Sequence, residues 1–345
     1  VESYNLGAWS NLKEADKQIQ LSPRLGVSFP ISPTGVFHAA YGHFFQMPSF
    51  EKMYNQPLRT LTSLQLEGML LGNAELKPEK TIAYEIGLQQ GITEDIAVDV
   101  TAYYKDIRNL LGIEKVTTVD AVGYTRFINR DYGNSRGITV GLHKDGDGFI
   151  TGAINYTYSD SRGSSSDPEA LQLIQASTSI GGETVQFVNR QILPLDWDQR
   201  HTLNIILNFS EKSNWNLGIV GYLRSGNPYS PTFIERYDIS EIEYKNEASK
   251  PFSWNVDLIA KKFFTLGGLN TAVFFKVDNL FDNLNENSVY SSTGRAGQNA
   301  RLPQEEQLEI ERLLQENNFT LGEIDNNPDW YSSPRKIEFG IEVLF

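Results

Sequence analysis

The chain has 345 residues, 40% hydrophobic and 12% aromatic, a formal charge of −13 and no cysteine. Disulfides, thiolate metal sites and cysteine nucleophiles are therefore excluded, and so acidic a chain does not suit a nucleic-acid backbone, which needs a basic surface. No apolar run reaches the roughly 18 residues of a transmembrane helix, but a membrane barrel stays open, because its strands show only every second residue to lipid.

Residues 1–20 are polar and irregular and read as a loop that could hold a partial strand. The start, Val1-Glu2-Ser3, has neither an initiator Met nor a signal peptide, as expected of a processed chain or a piece of a longer one. From Ser22 the pattern alternates: SPRLGVSFPI, a turn near 31–34, then GVFHAAYGHFFQM. The clearest hairpin follows, where Ile82, Tyr84, Ile86 and Leu88, then Ile96, Val98, Val100, Ala102 and Tyr104, alternate with small or polar residues around a turn near 91–94. A third hairpin runs from about Tyr124 to Lys144, turns at Asp145-Gly146-Asp147-Gly148 and returns to Ser161; Asp-Gly between alternating arms is a strong hairpin signal. A fourth pairs 200–209 with 214–225 across 210–213, and a fifth pairs 252–264 with 270–281 across 265–269. The strand PRKIEFGIEVLF ends the chain at Phe345.

The other connections are long: 48–78, 108–123, 162–198, 226–251 and 282–333, with an amphipathic helix expected over 303–318. Short turns at one rim (periplasmic) and long loops at the other (extracellular) are the asymmetry of an outer-membrane barrel. The fold class is thus all-β, a transmembrane antiparallel barrel, with residues 1–345 a single partial barrel domain. Eleven strands is odd, whereas bacterial single-chain barrels close with an even number, so these are expected to be the C-terminal strands of a barrel of about 22, with its plug absent. A strand overlooked near residues 1–20 would instead close a barrel of about twelve.

Few residues suggest chemistry. His38 and His43, five apart on one strand, face opposite sides and cannot share a metal ion. Asp196 and Asp198 flank Trp197 and could be read as an acid–base pair; the Asp-Gly repeat at 145–148 lacks the other ligands of a calcium loop. No phosphate loop, zinc motif or nucleophile elbow occurs, and the four histidines (38, 43, 143 and 201) lack local partners, so neither an enzyme, a metal site nor a cofactor is expected. The long loops carry Met47, Phe50, Met53 and Tyr54, then Tyr229, Phe233 and Tyr237, then Tyr290, Arg295 and Arg301. Aromatics above a barrel suit stacking on a carbohydrate, peptide or flat chelate, although any one of them could instead pack loop on loop. Tyr103, Tyr104, Tyr156, Tyr158, Tyr222, Phe263, Phe264 and Phe281 are expected in interface girdles, and Glu85, Asp99 and Thr101 on the lumen side.

Four blocks, LSPRLGVSFPIS…VFHAAYGHFFQMPSFEKMY, NAELKPEKTIAYEIGLQQ, LPLDWDQRHTLN and VDNLFD…NSVYSSTGRA, resemble the TonB-dependent outer-membrane receptors, most closely in the style of Bacteroidetes-type members. The resemblance runs from about Leu21 to Phe345. It implies a lumenal plug and a TonB-engaging segment, both missing here, and places Trp197 at a rim as a membrane-interface anchor. It also implies that the last strand, with Ile337, Phe339, Ile341, Val343 and Phe345 on one face, is an assembly signal for the barrel-assembly machinery. The function implied is active uptake of an iron chelate, vitamin, oligosaccharide or peptide from the Gram-negative cell surface, powered through TonB-ExbB-ExbD. A surface lipoprotein could add a lid. A scaffold subunit of a larger complex and a passive porin are the rival readings.

Overall fold

A computed structural model describes residues 15–55, 70–117, 123–164, 178–180, 183–185, 192–211, 214–232, 245–300, 304–316 and 326–344, with 320, 322 and 325. Eleven long strands form it: β1 (Arg24–Ser32), β2 (Gly35–Gln46), β3 (Glu79–Gly91), β4 (Ile96–Thr117), β5 (Gly123–Lys144), β6 (Ile150–Gly163), β7 (His201–Glu211), β8 (Trp215–Arg224), β9 (Ser253–Leu266), β10 (Leu269–Asp278) and β11 (Lys336–Leu344). Each pairs antiparallel with its neighbours in chain order, and two short strands, Leu70–Leu71 on β5 and Leu193–Pro194 on β6, bring the sheet to thirteen. Among the described residues two α-helices lie in loops, α1 (Phe50–Tyr54) and α2 (Gln304–Glu316).

The register explains why the alternation is so regular. On one face, Ala39, Ile86, Ala102, Ile138 and Tyr158 lie opposite one another across five strands, and Phe275 faces Phe339 at the other end of the sheet. This face is apolar and uncovered: Leu25, Val27, Ile86, Phe339 and Ile341 are all more than half exposed. So large an exposed apolar surface marks contact with something other than water. The opposite face carries His38, Glu85, Asp99, Thr101, His143, Asn155, Asn204, Asp257 and Lys261. The tight connections have the backbone they need: Gly267 and Gly268 both take positive φ (59° and 86°) in the two-residue link between β9 and β10, the geometry whose twist matches a hairpin.

Two sequence expectations need correction. The expected loop at 108–123 is mostly strand, for β4 runs to Thr117 and β5 resumes at Gly123. The alternation breaks because Asn109 sits in the left-handed region (φ 60°) and the β4–β5 register shifts across Arg108–Leu110, a bulge that puts Leu111 and Ile113 out of phase with the lower half. There they build a small core of their own with Met53, Leu76 and Phe127. The expected girdle also divides. Tyr103 and Tyr222 point to the polar face, where the Tyr103 hydroxyl bonds the Ser159 hydroxyl at 3.0 Å and Arg224 lies 4.4 Å over the Tyr222 ring; Phe263, alternating with Phe264, shares that face. Neighbours on a strand cannot both face the same side.

The apolar face still has aromatic bands at both ends. At the long-loop end, Tyr41 and Tyr84 (5.2 Å between centroids), Tyr84 and Tyr104 (6.3 Å), Tyr156 and His201 (6.2 Å), and Trp254 and Phe281 (5.7 Å) pack together. At the short-turn end Phe149 contacts Phe209 (6.0 Å) and Trp215 (5.7 Å). Eight residues separate Phe209 from His201 on β7, about 20 Å of height for a strand tilted near 45°.

Candidate functional site

The long-loop rim is fixed by three polar clamps, each of which includes residues of one conspicuous sequence block and partners from outside it. In the first, Asn73 donates through Nδ2 to the Phe127 carbonyl (2.8 Å), while Asn129 takes the Lys77 N–H on Oδ1 (2.7 Å) and donates to the Lys77 carbonyl (2.9 Å). Leu76, between them, is fully buried. In the second, buried Asp198 accepts the Ser161 N–H at 2.7 Å and pairs with Arg200 at 2.7 Å, and Asn246 donates to Asp196 at 2.6 Å and to the Pro194 carbonyl at 2.8 Å. Asp196 and Asp198 are therefore anchors of backbone and loop rather than an acid–base pair, and Trp197 between them is half exposed.

The third clamp joins β9, β10 and the approach to β11. Asn279, left-handed at φ 57° and buried, donates to the carbonyls of Asn283 (2.9 Å) and Ser333 (3.1 Å) and accepts the Asn283 N–H (2.9 Å). Asn285 takes the Trp254 N–H on Oδ1 (2.8 Å) and returns Nδ2 to its carbonyl (2.9 Å). Sequence reasoning passed over these asparagines. Their signal was the density of Asn just past strand ends, since a short amide both tolerates the left-handed region and mimics a missing ladder partner.

On this rim the candidate residues separate into two groups. Tyr290 packs 4.6 Å from Trp330 and donates its hydroxyl to the Asp325 carbonyl at 3.1 Å. Arg295 makes a forked pair with Glu286 (2.9 and 2.6 Å), which also accepts the Ala296 N–H (2.6 Å). Burial raises the Glu286 pKa, but the Arg295 and Ala296 donors outweigh it and leave the carboxyl below its ordinary value. The Tyr290 hydroxyl is shifted up, by burial first and then by Asp325 and Tyr331. Tyr229 joins this group, with its hydroxyl against Gly294. The loops are themselves tied together: Thr232 donates to the Ser291 carbonyl (3.0 Å) and Lys250 to the Asn287 carbonyl (2.9 Å).

Met47, Phe50 and Tyr54 behave differently: they are 50%, 75% and 58% exposed. Phe50 and Tyr54 are four apart on α1, with ring centroids 6.0 Å from each other, while Met53 turns into the small core. Backbone bonds from Gly72 to Asn55 (2.7 Å) and from Asn73 to Lys52 (3.0 Å) hold the helix in place. Tyr237 and Phe345 lie outside the described residues.

Below the rim the polar face is lined with side chains lying across glycines. His143 bonds Asp99 at 2.8 Å, and a Cβ on Gly141 would fall 2.2 Å from that carboxylate. His38 lies 3.6 Å from Glu85 and covers Gly87 in the same way. His43, on the opposite face, bonds the Tyr41 hydroxyl at 2.6 Å, so the two histidines do point to opposite sides. The Asp-Gly repeat closes the β5–β6 turn, with Gly146 at φ 95° and Lys144 paired to Asp95.

A family profile described as "TonB dependent receptor-like, beta-barrel" matches residues 5–306. The chain belongs to this family. As a TonB-dependent receptor barrel its apolar face meets the lipid of a Gram-negative outer membrane and its polar face lines the lumen. Among solved structures, the chain is similar to the outer-membrane transporter YddB from Escherichia coli (TM-score 0.58, 14% identity, 77% of this chain and 37% of that one). It is also similar to the copper transporter OprC (0.51, 13%, 93% and 38%) and to the ferripyoverdine receptor of the outer membrane of Pseudomonas aeruginosa bound to ferripyoverdine (0.51, 13%, 93% and 32%). At such identities the likeness shows the fold alone. The chain spans about a third of the length of those proteins (32–38%). No curated protein matches the sequence.

Proposed function

We propose that the protein is a receptor for active uptake of a scarce or large ligand, to which this chain contributes the C-terminal barrel strands and the outer loops. A plug domain elsewhere in the protein would gate the lumen, and TonB-ExbB-ExbD would supply the energy. The chain would perform no covalent chemistry. The observation that carries the reading is the fixed rim: clamped loops above a polar lumen wall hold exposed Phe50 and Tyr54 in position, a stacking surface above the mouth. The ligand classes that fit such a surface are iron chelates, vitamins, oligosaccharides and peptides.

Trp197 and Tyr104, 48% and 43% exposed in or near the aromatic band, would anchor the barrel at the membrane interface. Phe339, on the outward row of β11, would be read during insertion by the barrel-assembly machinery. A surface lipoprotein could cover the loops. The test is growth of cells with and without the protein, each supplied with a single limiting iron chelate, vitamin, oligosaccharide or peptide. Growth on one of these should require both the protein and TonB. Loss of the protein without effect on any of them, together with its stoichiometric recovery in a larger complex, would favour a scaffold role instead.

A further inference from the structure

The lumen wall has two halves of different chemistry. Across β2 to β7 one row reads His38, Gly87, Thr101, Thr139, Thr157 and Thr202, each residue opposite the next in register. The next row on this face, toward the long loops, is Ala40, Glu85, Tyr103, Gly137 and Ser159. The bulkier side chains here lie down. A Cβ on Gly137 would fall 2.6 Å from the Tyr103 hydroxyl and one on Gly87 2.3 Å from the His38 ring, so each glycine is a floor on which its neighbour rests, as Gly141 is for Asp99. The hydroxyls satisfy one another, Thr139 with Thr157 (3.1 Å) and Tyr103 with Ser159 (3.0 Å). Glycine weakens a strand interior and often marks a place where something approaches the backbone closely. This half of the wall is flat and lined with hydroxyls.

The wall of β9 to β11 is built from charges. Lys261 reaches across β10 to Glu342 (2.9 Å), and Lys276 pairs with Asp278 (2.9 Å) and faces Glu338 (4.0 Å). Such side chains grip an opposing surface through charge-assisted bonds, and for the same reason they hinder a solute that must move on. A solute in transit needs contacts that are weak and repeated, so that it leaves each as easily as it enters. The threonine row supplies them, one hydroxyl per strand at a spacing of about 4.8 Å. The rim above is divided in the same way. The helix α1, with Phe50 and Tyr54 exposed, sits through Met53 on the small core of β4 and β5, above the flat half. The clamped last loop joins β10 to β11, above the charged half.

We propose that the ligand crosses the lumen along the β2–β7 wall, between it and the plug, while the plug keeps its seat on β9–β11. The path suits a ligand that exchanges hydrogen bonds through neutral hydroxyl or amide groups or through its own hydration water. The proposal rests on the receptor reading. This chain has no cysteine, so the full-length protein, with any cysteine outside this chain changed to serine, carries one thiol at a time. Thr157→Cys and Thr101→Cys place it on the flat half; Ile259→Cys, opposite Lys276, places it on the charged half. Intact cells with and without TonB, growing in broth that holds iron, vitamins, oligosaccharides and peptides, are treated with a membrane-impermeant sulfonated maleimide. Comparing one cysteine with itself removes differences in thiol reactivity between sites, and heat-shifted gel mobility shows that each variant has folded. Labelling at Thr157→Cys and Thr101→Cys should be roughly tenfold faster with TonB, as for a minor open state that TonB populates, and labelling at Ile259→Cys should be the same in both strains. An equal rise at all three positions, the mark of a plug that leaves the lumen whole, would overturn the proposal. So would a rise at Ile259→Cys alone, or no rise anywhere. If no cysteine responds while growth on a limiting nutrient still requires both the protein and TonB, the path fails and the receptor reading stands. Growth that requires neither would overturn the receptor reading and the path with it.

Discussion

The first loop and the last loop were built from the same kinds of residue and put to different ends. Around 283–300 the aromatic and the cation are engaged in holding the loop: Tyr290 on Trp330, and Arg295 on Glu286. Around 47–54 the helix α1 is held by its backbone and by Met53, which leaves Phe50 and Tyr54 outside. A loop residue is therefore a ligand candidate only after the groups that fix the loop have been subtracted. By that measure Phe50 and Tyr54 of the first loop are the candidates carried into the proposal, and Tyr290 and Arg295 serve to hold the last loop.

The most damaging way to break the frame is at Asn279. Its side chain satisfies one N–H and two carbonyls at a buried junction, and leaving such groups unpaired costs about 1–3 kcal/mol each. Asn279→Gly keeps the left-handed backbone and removes only these bonds, so strain does not confuse the result. We expect hydrogen exchange across 283–300 to accelerate by more than a hundredfold, about 3 kcal/mol of lost local protection, with little change in β2–β6. Unchanged protection would mean that the asparagine clamp does not hold the last loop.

A milder break acts through pH. Because the Glu286 carboxyl is held below its ordinary 4.5 in the folded loop, its contribution is complete above pH 4.5 and is lost as pH falls through the lowered folded value. Exchange at Ala296 and its neighbours should therefore rise only at acidic pH, in Glu286-dependent fashion. Glu286→Gln should remove the pH dependence and leave protection at a lower, flat level. A wild-type profile that persists in Glu286→Gln would assign the dependence to another carboxylate.

Much of the fold was legible because a membrane strand has a simple grammar, with one face for lipid and a short turn at one end. Ile82 to Leu88 and Val98 to Tyr104 could be placed by period alone. The grammar failed where geometry changed the phase. Asn109 inserts one residue, so Leu111 and Ile113 read as loop although they form a core. Tyr103 and Tyr104 were given one role although adjacent strand residues cannot share a face. The site was less legible still, since whether Tyr290 is free depends on Trp330, 40 residues away in sequence, and periodicity carries no information about that partner.

The smallest effect on stability should come from the residues with the greatest effect on binding. Phe50→Ala/Tyr54→Ala removes two largely exposed rings that pack on each other, and exposed substitutions of this kind usually alter stability by no more than about 0.5 kcal/mol. Stacking of a flat ligand ring on such aromatics is worth about 1 kcal/mol for each ring, so ligand uptake at limiting concentration should fall by roughly tenfold or more. Tyr290→Ala should show the reverse balance, with loosened exchange over 286–296 and only an indirect loss of uptake. If the double variant at α1 transports normally while Tyr290→Ala fails at unchanged loop protection, the roles are exchanged and the ligand lies over the last loop. The two variants together separate a residue that meets ligand from one that merely holds its loop, a distinction that exposure alone suggests and only paired measurements of binding and protection can make.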